Sequence, residues 1–402
     1  METAHIKDTG HSRIQSIDLL RGAVMIIMAI DHVRVYSGLP AGGPTAGIFF
    51  TRWITHYCAP SFVFFAGTSA FLYFHKTGNQ NEVARFLVIR GLLLVLLELT
   101  VIRFFWMFNF DFATFTFTGV IWAIGWCMVL LAAFVRLRPV TIGIAGLLII
   151  LFQQLFQYVP ALFPSSMQES VASFWALFYP SAVAGKSGSS LLSNSSGAPT
   201  FLGISIFYVL IPWIGVMMAG YGFGKLLLLE RQKLKKVCLR IGIAAILLFL
   251  VIGSVLILNK PATDNDAPFI FQLLGQQKYP PSQLFLLMTL GPIIALVPWA
   301  EKVKGGLASA VTMIGRVPMF YYLLHILLIH LSAFVVNLIL SGSIHQEWYT
   351  SAPFVGMAED QRWSLPLLYL VWAIDVVILY FICSAYASYK ARHPEKVWLK
   401  YL

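Results

Sequence analysis

Five ionisable residues stand in the first hydrophobic segment: Asp18, Arg21, Asp31, His32 and Arg34. A charge near the centre of a bilayer costs roughly 2.5–3.5 kcal/mol on insertion scales. A helix that only anchored the chain would not keep so many. Asp18, Arg21, Met25, Met28, His32 and Tyr36 recur at steps of three and four residues, so they share one helical face. At 1.5 Å per residue, Arg21 and His32 lie about 16 Å apart along that face. Arg21 is near the inner end and His32 near the outer end. Asp31 points roughly 100° away from His32, toward Arg34, with which it could pair. A histidine in a low-dielectric setting near carboxylates suits proton transfer at neutral pH.

Other segments carry further candidates. The second apolar segment opens with Arg52 and His56, four apart on one face, while Gly67, Ser69 and Ala70 permit close helix contact. The run from Arg103 to Phe112 sets Asn109 and Asp111 among aromatic rings. Rings there form an interfacial belt, and with the two polar groups they would also suit a sugar. Glu98 lies one turn deeper. The stretch Gly220 to Lys225 is not a phosphate-binding loop, because its glycine spacing is wrong and no Ser or Thr follows the lysine. Gly222 and Gly224 serve tight packing, or with Lys225 they form a cytoplasmic approach for a phosphate-bearing cofactor. His325 and His330 are five apart and diverge on their helix, so they cannot chelate one metal from one face. Each is expected to face the bundle. Arg316 is a candidate partner for Asp375.

These residues need a membrane around them. The 402 residues are 58% hydrophobic and 11% charged, against about 25% charged in a soluble domain. The expected fold is all-α, a polytopic transmembrane bundle forming one domain over residues 1–402. A span needs about 20 apolar residues. Ten segments qualify, near 17–36, 53–74, 84–105, 115–135, 139–159, 203–224, 238–258, 283–300, 308–340 and 364–389. The ninth is long, and Pro318 could kink it. Residues 1–16 form a polar cytoplasmic tail, and no small-residue cleavage site follows the first apolar run, so no removable signal peptide is expected.

Lys and Arg set the orientation. With both termini inside, nineteen fall on inner segments and seven on outer ones (Arg34, Arg52, Arg103, Lys186, Lys260, Lys278, Arg362). The longest loop, 160–202, lies outside; 166–179 could form a short interfacial helix, and 186–197 is Ser/Gly-rich. The net charge of +11 follows this membrane rule and is not a nucleic-acid signal. Cys58, Cys127, Cys238 and Cys383 are far apart and read as packing residues.

Several strings together resemble the catalytic-domain family of heparan-alpha-glucosaminide N-acetyltransferase, in a bacterial branch. They are Ser16 to Gly22, Asp31 to Arg34, Thr51 to Gly67, Tyr208 to Gly224, Tyr321 to His325, and His393-Pro394-Glu395. The resemblance runs over nearly the whole chain. The first helix is also similar to membrane acyltransferases that acetylate bacterial surface sugars, which carry a histidine eleven residues after the Arg of an Arg-Gly pair; His32 follows Arg21 by eleven. The resemblance implies acetyl transfer from cytoplasmic acetyl-CoA to an amine or hydroxyl of a sugar on the far side of the inner membrane, with no metal. Animal members place their essential histidine in the loop after the first helix. Here that loop, 37–50, has none, so the role falls to His32 or His56. On this reading His32, Asp31 and His56 are catalytic, with Asp31 orienting His32. Arg21, Asp18, Lys225, Gly222 and Gly224 hold the CoA. Arg34, Arg52, Asn109, Asp111 and His330 meet the acceptor. The chain could pair as a homodimer. The rival readings are a secondary transporter or lipid-linked sugar flippase relaying protons through Glu98, Asp375, His325 and His330, and a non-catalytic membrane scaffold.

Overall fold

Apolar runs in lipid must satisfy their backbone groups internally, which favours helices. The computed structural model describes residues 10–43, 45–111, 115–182, 200–201, 204–261 and 267–400, and it is an all-α bundle. In chain order the helices are α1 (Gly10–Tyr36), α2 (Ala46–Trp53), α3 (Cys58–Thr77), α4 (Gln80–Leu97), α5 (Arg103–Met107), α6 (Val120–Phe134), α7 (Pro139–Leu151), α8 (Ser165–Trp175), α9 (Leu210–Gly224), α10 (Arg231–Leu258), α11 (Phe269–Leu274), α12 (Gln283–Ala300), α13 (Gly306–Arg316), α14 (Pro318–Ser341) and α15 (Leu365–Arg392). Among the described residues six helical stretches are long and apolar enough to cross a membrane: Ala46–Thr77, Leu210–Leu228, α10, α12, α14 and α15. A seventh forms if α7 and the 3-10 helix Gln153–Leu162, bent by 74°, count as one span.

α1 is 27 residues long, yet its charges set it apart from those six. It is the central strut of the bundle. Ile17, Val24, Met25, Ala29, Val33 and Tyr36 are all buried, and α3, α12, α13, α14 and α15 pack around it. Long apolar helices lie outside: α10 and α15 turn Leu247, Val251, Leu370 and Phe381 outward. So the helix that bears charge is wrapped by helices that face lipid, which removes most of the insertion cost of its polar side chains.

Glycines set the closest crossings. A Cβ on Gly22 would stand 1.9 Å from the Val311 carbonyl oxygen, and one on Gly315 would stand 1.8 Å from that of Asp18. The backbones of α1 and α13 therefore touch. α3 and α9 cross in the same way, since a Cβ on Gly67 would lie 1.9 Å from the Met217 carbonyl oxygen. Small residues allow such contacts between membrane helices. Gly315→Leu should drive α1 off α13, with a cost of about 1–3 kcal/mol or more for overpacking. Thermal unfolding in detergent should show a lowered midpoint for this variant. Gly306→Ala, where an added Cβ meets nothing within 4 Å, should leave the midpoint unchanged.

Three elements depart from the expected layout. The ninth apolar segment is two helices, α13 and α14, broken at Val317, with Pro318 at the first turn of α14, where its missing N–H costs nothing. The third segment is interrupted by a π-helical turn, Glu98–Ile102, between α4 and α5. A small sheet also joins the starts of α6 and α9. Its strands are β1 (Thr116–Thr118), β2 (Thr200–Phe201) and β3 (Ile204–Ile206), in the order β1-β3-β2. β1 pairs with β3 in parallel, Thr116 opposite Ile204, and β2 pairs with β3 antiparallel, Thr200 opposite Ser205. The expected interfacial helix in 166–179 is α8, while the Ser/Gly-rich run 186–197 lies outside the described residues. The four cysteines are free and buried.

Candidate active site

Two cavities meet at one side chain. The inner one, about 240 Å³, is lined by Arg21 and Met25 of α1, Ser69 of α3, Arg90 of α4, Met319 and Tyr322 of α14, and further apolar side chains. The other, called outer after the expected orientation, is about 570 Å³ and is lined by Asp31, His32, Arg34, Arg52, Glu98 and, again, Tyr322 among others. Tyr322 is thus shared between their walls. Its phenol makes no hydrogen bond to a described residue.

His32 sits in the outer cavity against His325. The His325 Nδ1 lies 2.5 Å from the Tyr322 carbonyl oxygen and 3.2 Å from that of Tyr321. A carbonyl can only accept, so this nitrogen carries the proton and donates. The other ring nitrogen, Nε2, is then an acceptor. It lies 2.6 Å from His32 Nδ1, so His32 Nδ1–H donates to it. His32 Nε2 is left with a lone pair, as a base requires. The two rings stack with centroids 4.8 Å apart, and Trp106 closes the His32 ring edge-on at 5.0 Å. Helical geometry makes this chain: His325 bonds the carbonyl one turn back on its own helix, and that fixes the tautomer across the interface with α1.

The expectation that Asp31 orients His32 is corrected by this arrangement. Asp31 turns to the other side of α1, where its Oδ1 accepts from Arg34 Nε at 2.8 Å and faces Arg52 Nη1 at 3.5 Å. The roughly 100° step between neighbouring helical residues sends the two side chains apart. Arg34 also donates from Nη1 to the Leu39 carbonyl oxygen at 2.6 Å. Asp31 therefore gathers guanidinium groups at the cavity wall. His56 does not join His32. It packs against Phe285 with centroids 5.4 Å apart and lines a side chamber.

At the inner cavity, Arg21 Nη2 donates to the Phe65 carbonyl oxygen at 2.6 Å and to Ser69 Oγ. Asp18 is 3.9 Å from Arg21 Nη1 and steadies it without lining the cavity. Gly222, Gly224 and Lys225 do not line it either. A Cβ on Gly222 would lie 2.6 Å from the Gly143 Cα, and one on Gly224 would lie 2.6 Å from the Phe71 ring. These glycines seat α9 against α7 and α3, and Lys225 is exposed beyond them.

The aromatic loop also departs from its expected role. Arg103, almost wholly buried, donates from Nη1 to the Asn109 carbonyl oxygen at 3.0 Å, from Nη2 to Asn109 Oδ1 at 3.3 Å, and from Nη2 to the Asp111 carbonyl oxygen. A buried guanidinium needs acceptors, and the loop folds round to supply them. Asn109 and Asp111 line neither large cavity. His330 is likewise occupied elsewhere. Its Nδ1 donates to the Phe105 carbonyl oxygen at 2.9 Å, and its ring stacks on Phe108 at 4.0 Å, which clamps α14 to α5. Asp375 accepts from Ser332 Oγ at 2.7 Å, not from Arg316.

Glu98 opens the π turn and is buried. Its Oε1 accepts from the Gly119 backbone N–H at 3.2 Å, and its Oε2 has no partner. A Cβ at 119 would stand 2.3 Å from Oε1, so a larger residue there would displace the carboxyl group. π turns are frequent at functional sites. Here the turn brings a carboxyl group to the wall of the outer cavity.

The Heparan-alpha-glucosaminide N-acetyltransferase, catalytic family matches residues 13–258. The chain belongs to this family. Membership makes it an acetyltransferase, and its apolar helices make it a multi-pass membrane protein. No curated protein matches the chain. The family match covers Arg21, His32, Arg52, His56 and Glu98, whereas Lys278, Tyr322 and His325 lie beyond it. Tertiary contact brings Lys278 and Tyr322 to the wall of the outer cavity and His325 against His32. Periodicity in the sequence gave no reason to single out Lys278 in its loop. The string Tyr321 to His325 did carry the family resemblance, but nothing in it pointed to His32 as partner. The walls of the inner cavity are mostly apolar, and Arg21 and Arg90 supply cationic groups.

Proposed function

We propose that the protein moves an acetyl group from cytoplasmic acetyl-CoA to an amine or hydroxyl of a sugar on the outer side of a bacterial inner membrane. The reading includes ten spans with both termini inside. The observation that carries it is Tyr322, which lines both cavities while the lone pair of His32 belongs to the outer one. The thioester would reach Tyr322 from the inner cavity, and the acceptor would meet it from the outer one.

In the transfer, His32 Nε2 takes the proton of the acceptor N–H or O–H as the new carbon–nitrogen or carbon–oxygen bond forms. The carbon–sulfur bond breaks, and the imidazolium returns its proton to the departing sulfur. His325 holds the reactive tautomer throughout and shares the transient positive charge. Tyr322 keeps its proton and donates a hydrogen bond to the carbonyl oxygen as negative charge builds there.

The direct test incubates purified protein with radiolabelled acetyl-CoA and a panel of amino sugars and glycans. Label appearing on a sugar supports the reading. Sugar flux through proteoliposomes with no loss of acetyl-CoA would replace it with transport. Arg21→Ala should raise the KM for acetyl-CoA about tenfold or more with a smaller change in kcat, since a charged hydrogen-bond donor leaves the inner cavity. An unchanged KM would remove Arg21 from the cofactor side.

A further inference from the structure

A third cavity, about 260 Å³, opens beside the outer one. Its wall includes Arg52, Trp53, His56, Gln277, Lys278 and Tyr279. Arg52, Lys278 and Tyr279 line both spaces, so the two are contiguous. Among the described residues no carboxylate lines the side chamber.

Two of its polar side chains have a buried nitrogen without a partner. His56 is nine-tenths buried, and its Nδ1 has no hydrogen bond. The indole Nε1 of Trp53 is buried and equally unpartnered. Arg52 faces an Asp31 carboxylate that already holds Arg34 more closely, and it also interacts with the Tyr279 phenol. Lys278 has no carboxylate within 4.0 Å among the described residues; its Nζ stands over the Tyr279 and Tyr208 rings at 5.2 and 5.9 Å. Partial burial pushes the Tyr279 phenol up, yet the charges of Lys278 and Arg52 hold it below its ordinary value. Buried donors without acceptors are costly unless a ligand meets them.

The distribution of charge along the chain points the same way. Outer segments of a membrane protein are poor in Lys and Arg. Of the seven basic residues read as outer, Arg34, Arg52, Lys278 and Arg362 converge on the outer cavity, where Asp31 and Glu98 are the lining carboxylates among the described residues. A snorkelling role would spread these cations around the belt instead of collecting them at one space.

We propose that the side chamber is an anion subsite that seats a phosphate, sulfate or carboxylate group carried by the acceptor, with Arg52 and Lys278 as the charged donors and His56 and Trp53 as the neutral ones. Placed there, the anionic group would anchor the acceptor while its nucleophile extends into the outer cavity toward His32. This deepens the acetyl-transfer reading and rests on it, but binding of the anion can be measured without transfer.

The experiment has two parts. First, inorganic phosphate is titrated into detergent-purified protein at constant ionic strength, and the thermal midpoint is followed for wild type, Lys278→Gln and His56→Gln. Phosphate should raise the wild-type midpoint, and Lys278→Gln should weaken the apparent affinity about tenfold or more, as expected for loss of one charge-assisted bond. Vesicles of phosphatidylglycerol against phosphatidylcholine distinguish a lipid headgroup from a soluble anion as the source. Equal stabilisation of wild type and both variants overturns the subsite. Second, glucosamine and glucosamine 6-phosphate are compared as acceptors. A preference for the phosphorylated sugar that falls about tenfold in Lys278→Gln, with the KM for acetyl-CoA unchanged, supports it. Transfer to both sugars with no preference in either protein overturns the subsite and leaves the transfer reading standing. Lys278-dependent phosphate binding without transfer to any acceptor keeps the anion site and overturns the transfer reading.

Discussion

His32→Ala should lower acetyl transfer by about 10²–10⁴-fold, the range typical of a positioned general base. The loss should fall on kcat, because the imidazole acts on the acceptor proton as the bond forms and contributes little to holding acetyl-CoA in the inner cavity. Equilibrium binding of acetyl-CoA should therefore match wild type. Helix α1 should tolerate the change. The His32 side chain contacts a cavity and the His325 ring, and its replacement introduces no new charge into the bundle. Initial-rate measurement with labelled acetyl-CoA, beside a binding isotherm, reads both quantities. Full activity in this variant would remove His32 from the chemistry and return attention to His56.

His325→Leu should cost nearly as much, about a hundredfold or more, though His325 is a positioning residue and lies outside the cavity lining. With its acceptor gone, His32 Nδ1–H loses the bond at 2.6 Å that fixes its tautomer, and the lone pair no longer points reliably into the outer cavity. Precedent for a misoriented catalytic imidazole puts the penalty as high as about 10⁴. Two further readouts separate positioning from mere structural support. His325→Gln, whose amide oxygen can accept from His32, should recover part of the rate. The double variant His32→Ala/His325→Leu should be no slower than His32→Ala alone, because groups that act as a unit do not add. Additive losses, or a Gln variant as slow as Leu, would mean that His325 contributes packing only.

The sequence already indicated much of this protein. Mean apolarity and charge content are sums over residues, so an all-α membrane bundle followed from composition alone. The helical step of α1 placed Arg21 and His32 on one face, and the structure has them lining the inner and the outer cavity respectively. Asp31 and Arg34, three apart, do pair, because their separation is local to one helix. Gly67 proved a contact point for the same reason: a missing side chain marks close approach wherever the helix is buried.

Partners across helices were not legible. Nothing along the chain links His32 to His325, which are brought to 2.6 Å only when α14 lies against α1. The kink anticipated at Pro318 is a full break at Val317, and only the packing of α13 on α1 shows that the segment is two helices. Asn109, Asp111 and His330 have the chemistry of sugar binding, but tertiary folding commits their groups to Arg103 and to the Phe105 carbonyl. What the sequence determined was which segments enter lipid and which residues share a helical face, because transfer energy and helical pitch are properties of each segment alone. Tertiary structure decided which faces meet, hence which nitrogen of His32 is a base, where the two cavities join at Tyr322, and which unpaired donors surround the side chamber. Those depend on contacts between residues hundreds of positions apart, and no local pattern encodes them.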